Sequence, residues 1–196
     1  MVKLEKEPII KIENVVASAS LGHGIDLQAV LEMFPVVEYR PKVFPGLVFR
    51  TKKPRTANLI FRTGKMVCTG AKSEKEARRA LKKIVGKLKK KGIIIHGKVH
   101  IKIQNIVASV ILGGQVDLEG FYETGEKIGL GGRIMYELEQ FPGLIYRMEN
   151  PKAVVLVFAS GKLVCTGTEK EEEVYQAVMK LRQKLDENSA IIYGVP

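Results

Sequence analysis

Phe44–Arg50 reads FPGLVFR, and Phe141–Arg147 reads FPGLIYR. The two copies stand 97 residues apart in a chain of 196. A near-identical heptapeptide repeated at half the chain length points to a doubled unit, and the likeness runs well beyond it. IKIENVVAS from Ile10 returns as IKIQNIVAS from Ile101, an offset of 91. Downstream of FPGL the offset holds at 97: Pro54 matches Pro151, TGK from Thr63 matches SGK from Ser160, and CTG recurs from Cys68 and Cys165. The second copy therefore carries six extra residues, placed in GFYETGEKIGLGG (Gly120–Gly132) and expected as an enlarged surface loop. A period this long, present twice, indicates an internally duplicated domain rather than a solenoid. The expected division is 1–97 and 98–196, two repeats of one pseudo-twofold unit.

Composition narrows the class. Hydrophobic residues make up 45% and charged residues 27%, as in ordinary globular proteins. No apolar run reaches the roughly 18 residues that would suggest a membrane span, and the opening MVKLEKEP does not read as a signal peptide. Cys68 and Cys165 occupy matching places, which reads as a repeated core position rather than a disulfide framework. There is no CxxC pair and no histidine cluster, so neither a metal nor a cofactor is expected, and the chain reads as intracellular. Charge is uneven. Residues 1–97 hold 21 Lys and Arg against 8 Asp and Glu, whereas 98–196 hold 11 against 13. A basic half suits a polyanion, nucleic acid being the commonest, with a solvated lysine-rich helix as the alternative. The near-neutral second half suggests a separate protein partner.

Each repeat reads as five strands and two helices. IIKIENVVASASL (Ile9–Leu21) is rich in β-branched residues and bounded by Pro8 and Gly22, a strand signature. DLQAVLEMF from Asp26 reads as a short helix capped by Asp26. VEYR, LVFRTK, ANLIFR and KMVCTG read as short strands, separated by turn signals at FPG, KKPR and RTGK. A long helix follows, opened by a capping box of Ser73 and Glu76, striped by Ala77, Leu81, Ile84, Val85 and Leu88, and ended by Gly92. Ten antiparallel strands covered by helices make an α+β fold.

Both faces of those strands are apolar, yet two long helices can cover one face only. Val16, Leu59, Phe61 and Val67, with Val107, Leu156, Phe158 and Val164, are left on the other. Such a surface marks a binding site, unless the two halves bury it sheet on sheet. Asn14 and Asn105 share that face, with Thr69 and Thr166 beside the valines. Arg50, Arg55 and Lys65, repeated as Arg147, Lys152 and Lys162, fringe it. Cations around an apolar floor with a few amides suit the DNA minor groove, where A·T edges offer acceptors and no protruding amino group.

These residues resemble the core of the TATA-box-binding protein family over about residues 9–186. The match is carried by IENVVAS and IQNIVAS, the two FPGL stretches, LIFRTGKMVCTGAKS and VFASGKLVCTG. The resemblance implies a saddle: a curved ten-stranded antiparallel sheet on the minor groove of double-stranded promoter DNA, with helices on the convex side. It also implies that Phe44 with Phe61, and Phe141 with Phe158, wedge into base steps, with Pro45 and Pro142 beside them. Asn14 and Asn105 would hydrogen-bond at the centre of the site. Val16, Leu59, Val67, Val107, Leu156 and Val164 would touch base edges, and Thr69 and Thr166 would donate to acceptors. Arg50, Arg55, Lys65, Arg147, Lys152 and Lys162 would hold phosphates. The loop Tyr136–Phe141 resembles the one that meets the transcription factor B class, through Glu137, Glu139 and Gln140, and through that factor RNA polymerase indirectly. The basic helix Lys75–Lys91 resembles a surface for regulators or flanking DNA. The chain looks archaeal, hence cytoplasmic; a eukaryotic one would be nuclear.

Departures from the family pattern are Glu169 in place of a cation, Arg40 in place of an acid, and no proline before EQF. Among rival functions, catalysis finds no constellation: His23, His96 and His100 lack repeat partners, and GLGG from Gly129 is not a dinucleotide fingerprint. An apolar-ligand module would account for the open face but not for the duplicated Asn, Thr and cations.

Overall fold

Period-two burial and period-3.6 burial divide the chain into strands and helices. The computed structural model describes residues 7–130 and 132–194. The MVKLEK start and Gly131 of the glycine-rich stretch lie outside the described residues. In chain order come β1 (Ile9–Ser20), α1 (Leu27–Met33), β2 (Glu38–Tyr39), β3 (Leu47–Lys52), β4 (Arg55–Ile60), β5 (Lys65–Ala71) and α2 (Glu74–Lys90). The second set is β6 (Ile101–Ile111), β7 (Gln115–Val116), α3 (Leu118–Lys127), β8 (Ile134–Tyr136), β9 (Leu144–Glu149), β10 (Lys152–Val157), β11 (Lys162–Thr168), α4 (Glu171–Glu187) and β12 (Ile191–Ile192). Ten strands form one antiparallel sheet, in the order β2-β3-β4-β5-β1-β6-β11-β10-β9-β8. A separate pair, β7 with β12, was not expected from the sequence. Contacts divide the chain into two compact units, one running from Glu13 to Asn105 and the other comprising the rest.

In the Glu13–Asn105 unit, α2 packs on β4 and β5. Ala77, Ala80, Leu81, Ile84, Val85 and Leu88 are buried on the helix, as are Ile60 of β4 and Met66 and Cys68 of β5. Burial of each large side chain stabilises the unit by about 1.5–3 kcal/mol. The predicted capping box is corrected in one half. Ser73 Oγ does accept the Glu76 amide at 3.1 Å, but the Glu76 carboxylate takes the Lys72 amide at 2.9 Å instead of that of Ser73. The α2 terminus closes as read: Gly92 has φ +89°, its amide bonds to Lys89 O at 3.0 Å, and the Ile93 amide to Leu88 O at 3.1 Å.

The other unit repeats the plan with α4 on β10 and β11, burying Val174, Ala177, Val178, Leu181 and Leu185. Its six extra residues do not simply enlarge a loop. Helix α3 spans 10 residues where α1 spans 7, so half of the insertion lengthens the helix, and the remainder lengthens the following loop and β8. The segments after the long helices are also anchored differently. Ile191 and Ile192 pair with Val116 and Gln115 as a two-stranded ribbon. In the first repeat the matching Ile94 is held instead by the His23 ring, whose Nε2 lies 2.7 Å from Ile94 O. Both cysteines are buried and free, and burial pushes the Cys165 thiol up to about 11.

Helix α4 ends on the same motif as α2, but with Ser189 where α2 has Gly92. Ser189 adopts φ +54°, and the Ala190 amide bonds to Leu185 O at 2.8 Å. A side chain in this left-handed region costs more than glycine, less the extra unfolded-state entropy that glycine brings. Ser189→Gly is therefore expected to stabilise the chain by about 0.5–1 kcal/mol, and Gly92→Ser to destabilise it. Denaturant unfolding of the full chain measures both; a destabilising Ser189→Gly would contradict this account of the cap.

Candidate nucleic-acid interface

In β4, Thr56, Asn58 and Ile60 are buried while Ala57 and Leu59 stay half-exposed; in β5, Met66 and Cys68 are buried while Val67 and Thr69 are half-exposed. The same alternation runs through β10 and β11, leaving Val154, Leu156, Val164 and Thr166 half-exposed. Val16, Phe61, Val107 and Phe158 share this state. A sheet-on-sheet sandwich would have buried them, so the open face read from the sequence is present in each unit.

Strand register sorts that face into rows. In the first repeat Val48 stands opposite Leu59, Leu59 opposite Val67, and Val67 opposite Ser18. The next row is Arg50, Ala57 and Thr69. In the second repeat the rows are Ile145, Leu156, Val164 and Ser109, then Arg147, Val154 and Thr166. Val48, Ala57, Ile145, Val154 and the two serines were missed from sequence. Extending the period-two count from Arg50 back to Val48, or from Arg147 to Ile145, would have found two of them.

Asn14 is fixed by a local irregularity. The register between β1 and β5 slips between Val15 and Ala17, where Gly70 adopts φ +92°. The Gly70 amide donates to Asn14 Oδ1 at 2.7 Å, and Asn14 Nδ2 donates to Thr69 Oγ1 at 3.1 Å. Only the carbonyl oxygen of the amide can accept from Gly70, so Nδ2 must be the donor end. β11 slips in the same way, between Cys165 and Thr168, with Gly167 at φ +89°. Asn105 and Thr166 are half-exposed on β6 and β11.

At the FPG turns the paired rings meet edge to face. Phe44 and Phe61 have centroids 5.8 Å apart at 65°, and Phe141 and Phe158 lie 5.7 Å apart at 60°. The glycine of FPG makes room for them. A Cβ on Gly46 would lie 2.7 Å from Phe44 Cε1 and 3.0 Å from Phe61 Cε1. On Gly143 it would lie 2.9 Å from both Phe141 Cε1 and the Val157 carbonyl oxygen. Pro45 and Pro142 are exposed beside them.

Cations rim each face. Arg55, Lys65, Arg147, Lys152 and Lys162 are exposed. Arg50 is also exposed, but its Nε is engaged by Glu38 Oε1 at 3.1 Å, an ion pair the sequence reading did not anticipate. Such an exposed pair is weak, about 0–1 kcal/mol, and open to exchange with another anion. Glu137, Glu139 and Gln140 are exposed on a tight turn in which the Gln140 and Phe141 amides bond to Glu137 O.

The model for "Transcription factor TFIID (or TATA-binding protein, TBP)" matches residues 9–91 and again 100–188. The chain belongs to the TATA-box-binding protein family. The TATA-box-binding protein of Pyrodictium occultum is 50% identical over 187 residues, covering 95% of this chain and 91% of that protein. That of Archaeoglobus fulgidus is 51% identical over 177 residues, covering 90% and 94%. The solved Methanococcus jannaschii TBP superposes with a TM-score of 0.75 at 46% identity, covering 93% of this chain and 99% of that one. The family is one of transcription factors, not enzymes. No helix among the described residues is long and apolar enough to cross a membrane.

The two FPG glycines differ in what a methyl group would strike. Gly46→Ala meets ring atoms that can swing outward, so it should cost less than about 1 kcal/mol while separating the Phe44–Phe61 pair. Gly143→Ala also strikes backbone and should cost about 1–3 kcal/mol. Thermal unfolding and ring-to-ring NOEs test this; equal costs, or an intact Phe44–Phe61 contact in Gly46→Ala, would contradict it.

Proposed function

We propose that this chain is a general transcription factor that binds A·T-rich promoter duplex through the minor groove, bends it, and recruits a factor B-type protein. The observation that carries the reading is the repeated pairing of an edge-to-face phenylalanine couple with a half-exposed apolar floor. Phe44 with Phe61, and Phe141 with Phe158, wedge into one base step per repeat, unstacking it at a cost of about a few kcal/mol that the contacts of a bent duplex offset. Val16, Leu59, Val67, Val107, Leu156 and Val164 line the floor, where a guanine amino group would clash. Asn14 Nδ2, held as a donor by the Gly70 amide, offers an N–H to the acceptors of A·T edges, and Asn105 takes the same part. Thr69 and Thr166 add hydroxyls, and Arg50, Arg55, Lys65, Arg147, Lys152 and Lys162 take phosphates. Arg50 exchanges Glu38 for a phosphate when it does so. The archaeal relatives favour a cytoplasmic setting.

Replacing A·T by I·C pairs changes the major groove and keeps the minor-groove surface, because inosine lacks the guanine amino group. Affinity should survive I·C and fall with G·C, by about 1–3 kcal/mol for each base pair changed. Equal loss on I·C and G·C in a fluorescence titration would place readout in the major groove.

For the partner, the acidic turn Glu137–Gln140 and the exposed Leu138 offer a charged rim around an apolar tip. Glu137→Lys with Glu139→Lys should not weaken binary DNA binding, and should strengthen it on a duplex that extends past the second repeat's wedge, while weakening the ternary complex with the factor B protein, and hence polymerase recruitment. An intact ternary gel shift in the double variant would remove this turn from the contact.

A further inference from the structure

The turn that leads into the first wedge has the same backbone as the acidic turn of the second repeat and the opposite charge. The Val43 and Phe44 amides both bond to Arg40 O at 2.9 Å, as the Gln140 and Phe141 amides bond to Glu137 O at 3.0 and 2.9 Å. At the fixed offset of 97, Arg40 answers Glu137 and Lys42 answers Glu139. One fold of four residues thus presents two cations in one repeat and two carboxylates in the other.

The cations are available. Arg40, Pro41, Lys42 and Val43 are all exposed. Among the described residues no carboxylate lies within ion-pair distance of Arg40 or Lys42. They are also fixed in place with respect to the wedge. The Phe44 amide is hydrogen-bonded to the Arg40 carbonyl, and the Phe44 ring rests on Phe61, so the turn and the ring move together. A ring inserted into a base step from the minor groove, about 6 Å wide, has backbone phosphates on either side of it. Arg40 and Lys42, four and two residues before the ring, are placed to meet them, whereas Glu137 and Glu139 would be repelled.

We propose that Arg40 and Lys42 form an additional phosphate-binding site flanking the first-repeat half-site, with no counterpart in the second repeat. This rests on the minor-groove reading above. The consequence is a binary complex with built-in polarity: the first repeat grips sugar–phosphate backbone beyond its wedge, and the second does not. On a duplex whose A·T core reads the same in both directions, but which extends past the core on one side only, the first repeat takes the extended side.

The test uses the full chain and two duplexes sharing one self-complementary A·T core, one extended on a single side and one trimmed at both. Arg40→Gln with Lys42→Gln, both exposed, should leave the thermal unfolding midpoint unchanged. On the extended duplex the double variant should bind about tenfold more weakly near 0.1 M salt, and the slope of log affinity against log salt should fall by about 2. On the trimmed duplex the difference should shrink. Polarity is read by energy transfer from one DNA end to a dye on Gln176→Cys, exposed on α4, the native cysteines being buried. Exchanging the two turns' charges (Arg40→Glu, Lys42→Glu, Glu137→Arg, Glu139→Lys) should restore the slope and reverse the orientation. An unchanged slope in the neutral variant, or an orientation that ignores the exchange, overturns the proposal. Failure of the wild-type chain to bind either duplex would overturn the minor-groove reading beneath it.

Discussion

The strict alternation of large apolar side chains along the strands, against only enough helix to seal one side, is the constraint from which the rest follows. In β4 and β5 the inward set includes Ile60, Met66 and Cys68, closed off under α2. In β10 and β11 it is Val155, Val157, Leu163 and Cys165 under α4. What remains on the other side is apolar because the pattern is apolar, and it stays half-exposed because no helix is spent on it. A folded chain that keeps such a surface open loses part of the stabilisation its composition could give, which fits selection for a ligand that covers it.

Around that constraint the two repeats have kept the wedges and the apolar face that meet a duplex in our reading and let the flanking turns and outer surfaces diverge. The ring pairs agree to within 0.1 Å in centroid separation, 5.8 against 5.7 Å. Both FPG glycines and both left-handed glycines of the strand irregularities are retained. The surfaces facing elsewhere differ in charge and chemistry. Lys82 on α2 corresponds to Met179 on α4, and Lys75 on α2 to Glu172 on α4. A doubled interface for a nearly symmetric ligand therefore coexists with outer surfaces that need not be symmetric.

Much of this was legible in the sequence because it rests on short periods and on duplication. The period-two pattern of NLIF and KMVC separates the faces, and the offsets of 91 and 97 residues pair each functional side chain with its copy. What was not legible depends on neighbours distant in the chain. Thr51, Thr56 and Asn58 form a buried hydrogen-bonded cluster where the second repeat has Met148, Ala153 and Val155, and a sequence pattern cannot say that the two hydroxyls and the Asn58 Nδ2 find one another while Asn58 Oδ1 is left without a partner. Arg182 is buried where the first repeat has Val85; its Nε lies 3.6 Å from Asp186, which also accepts from the Tyr193 hydroxyl. The pairing of Arg50 with Glu38 across β2 and β3, and the recruitment of three of the six inserted residues into α3, likewise required the fold.

The central claim is that the two phenylalanine pairs are ligand-facing wedges rather than core. It is tested most directly by end-to-end energy transfer on an A·T-rich duplex bound by the wild-type chain and by the Phe61→Ala, Phe158→Ala variant. The account predicts that the wild-type chain draws the duplex ends together, and that the variant unfolds at nearly the wild-type temperature yet leaves the duplex close to straight and binds it more weakly. A variant that bends the duplex as fully as wild type, or that fails to fold, would contradict it.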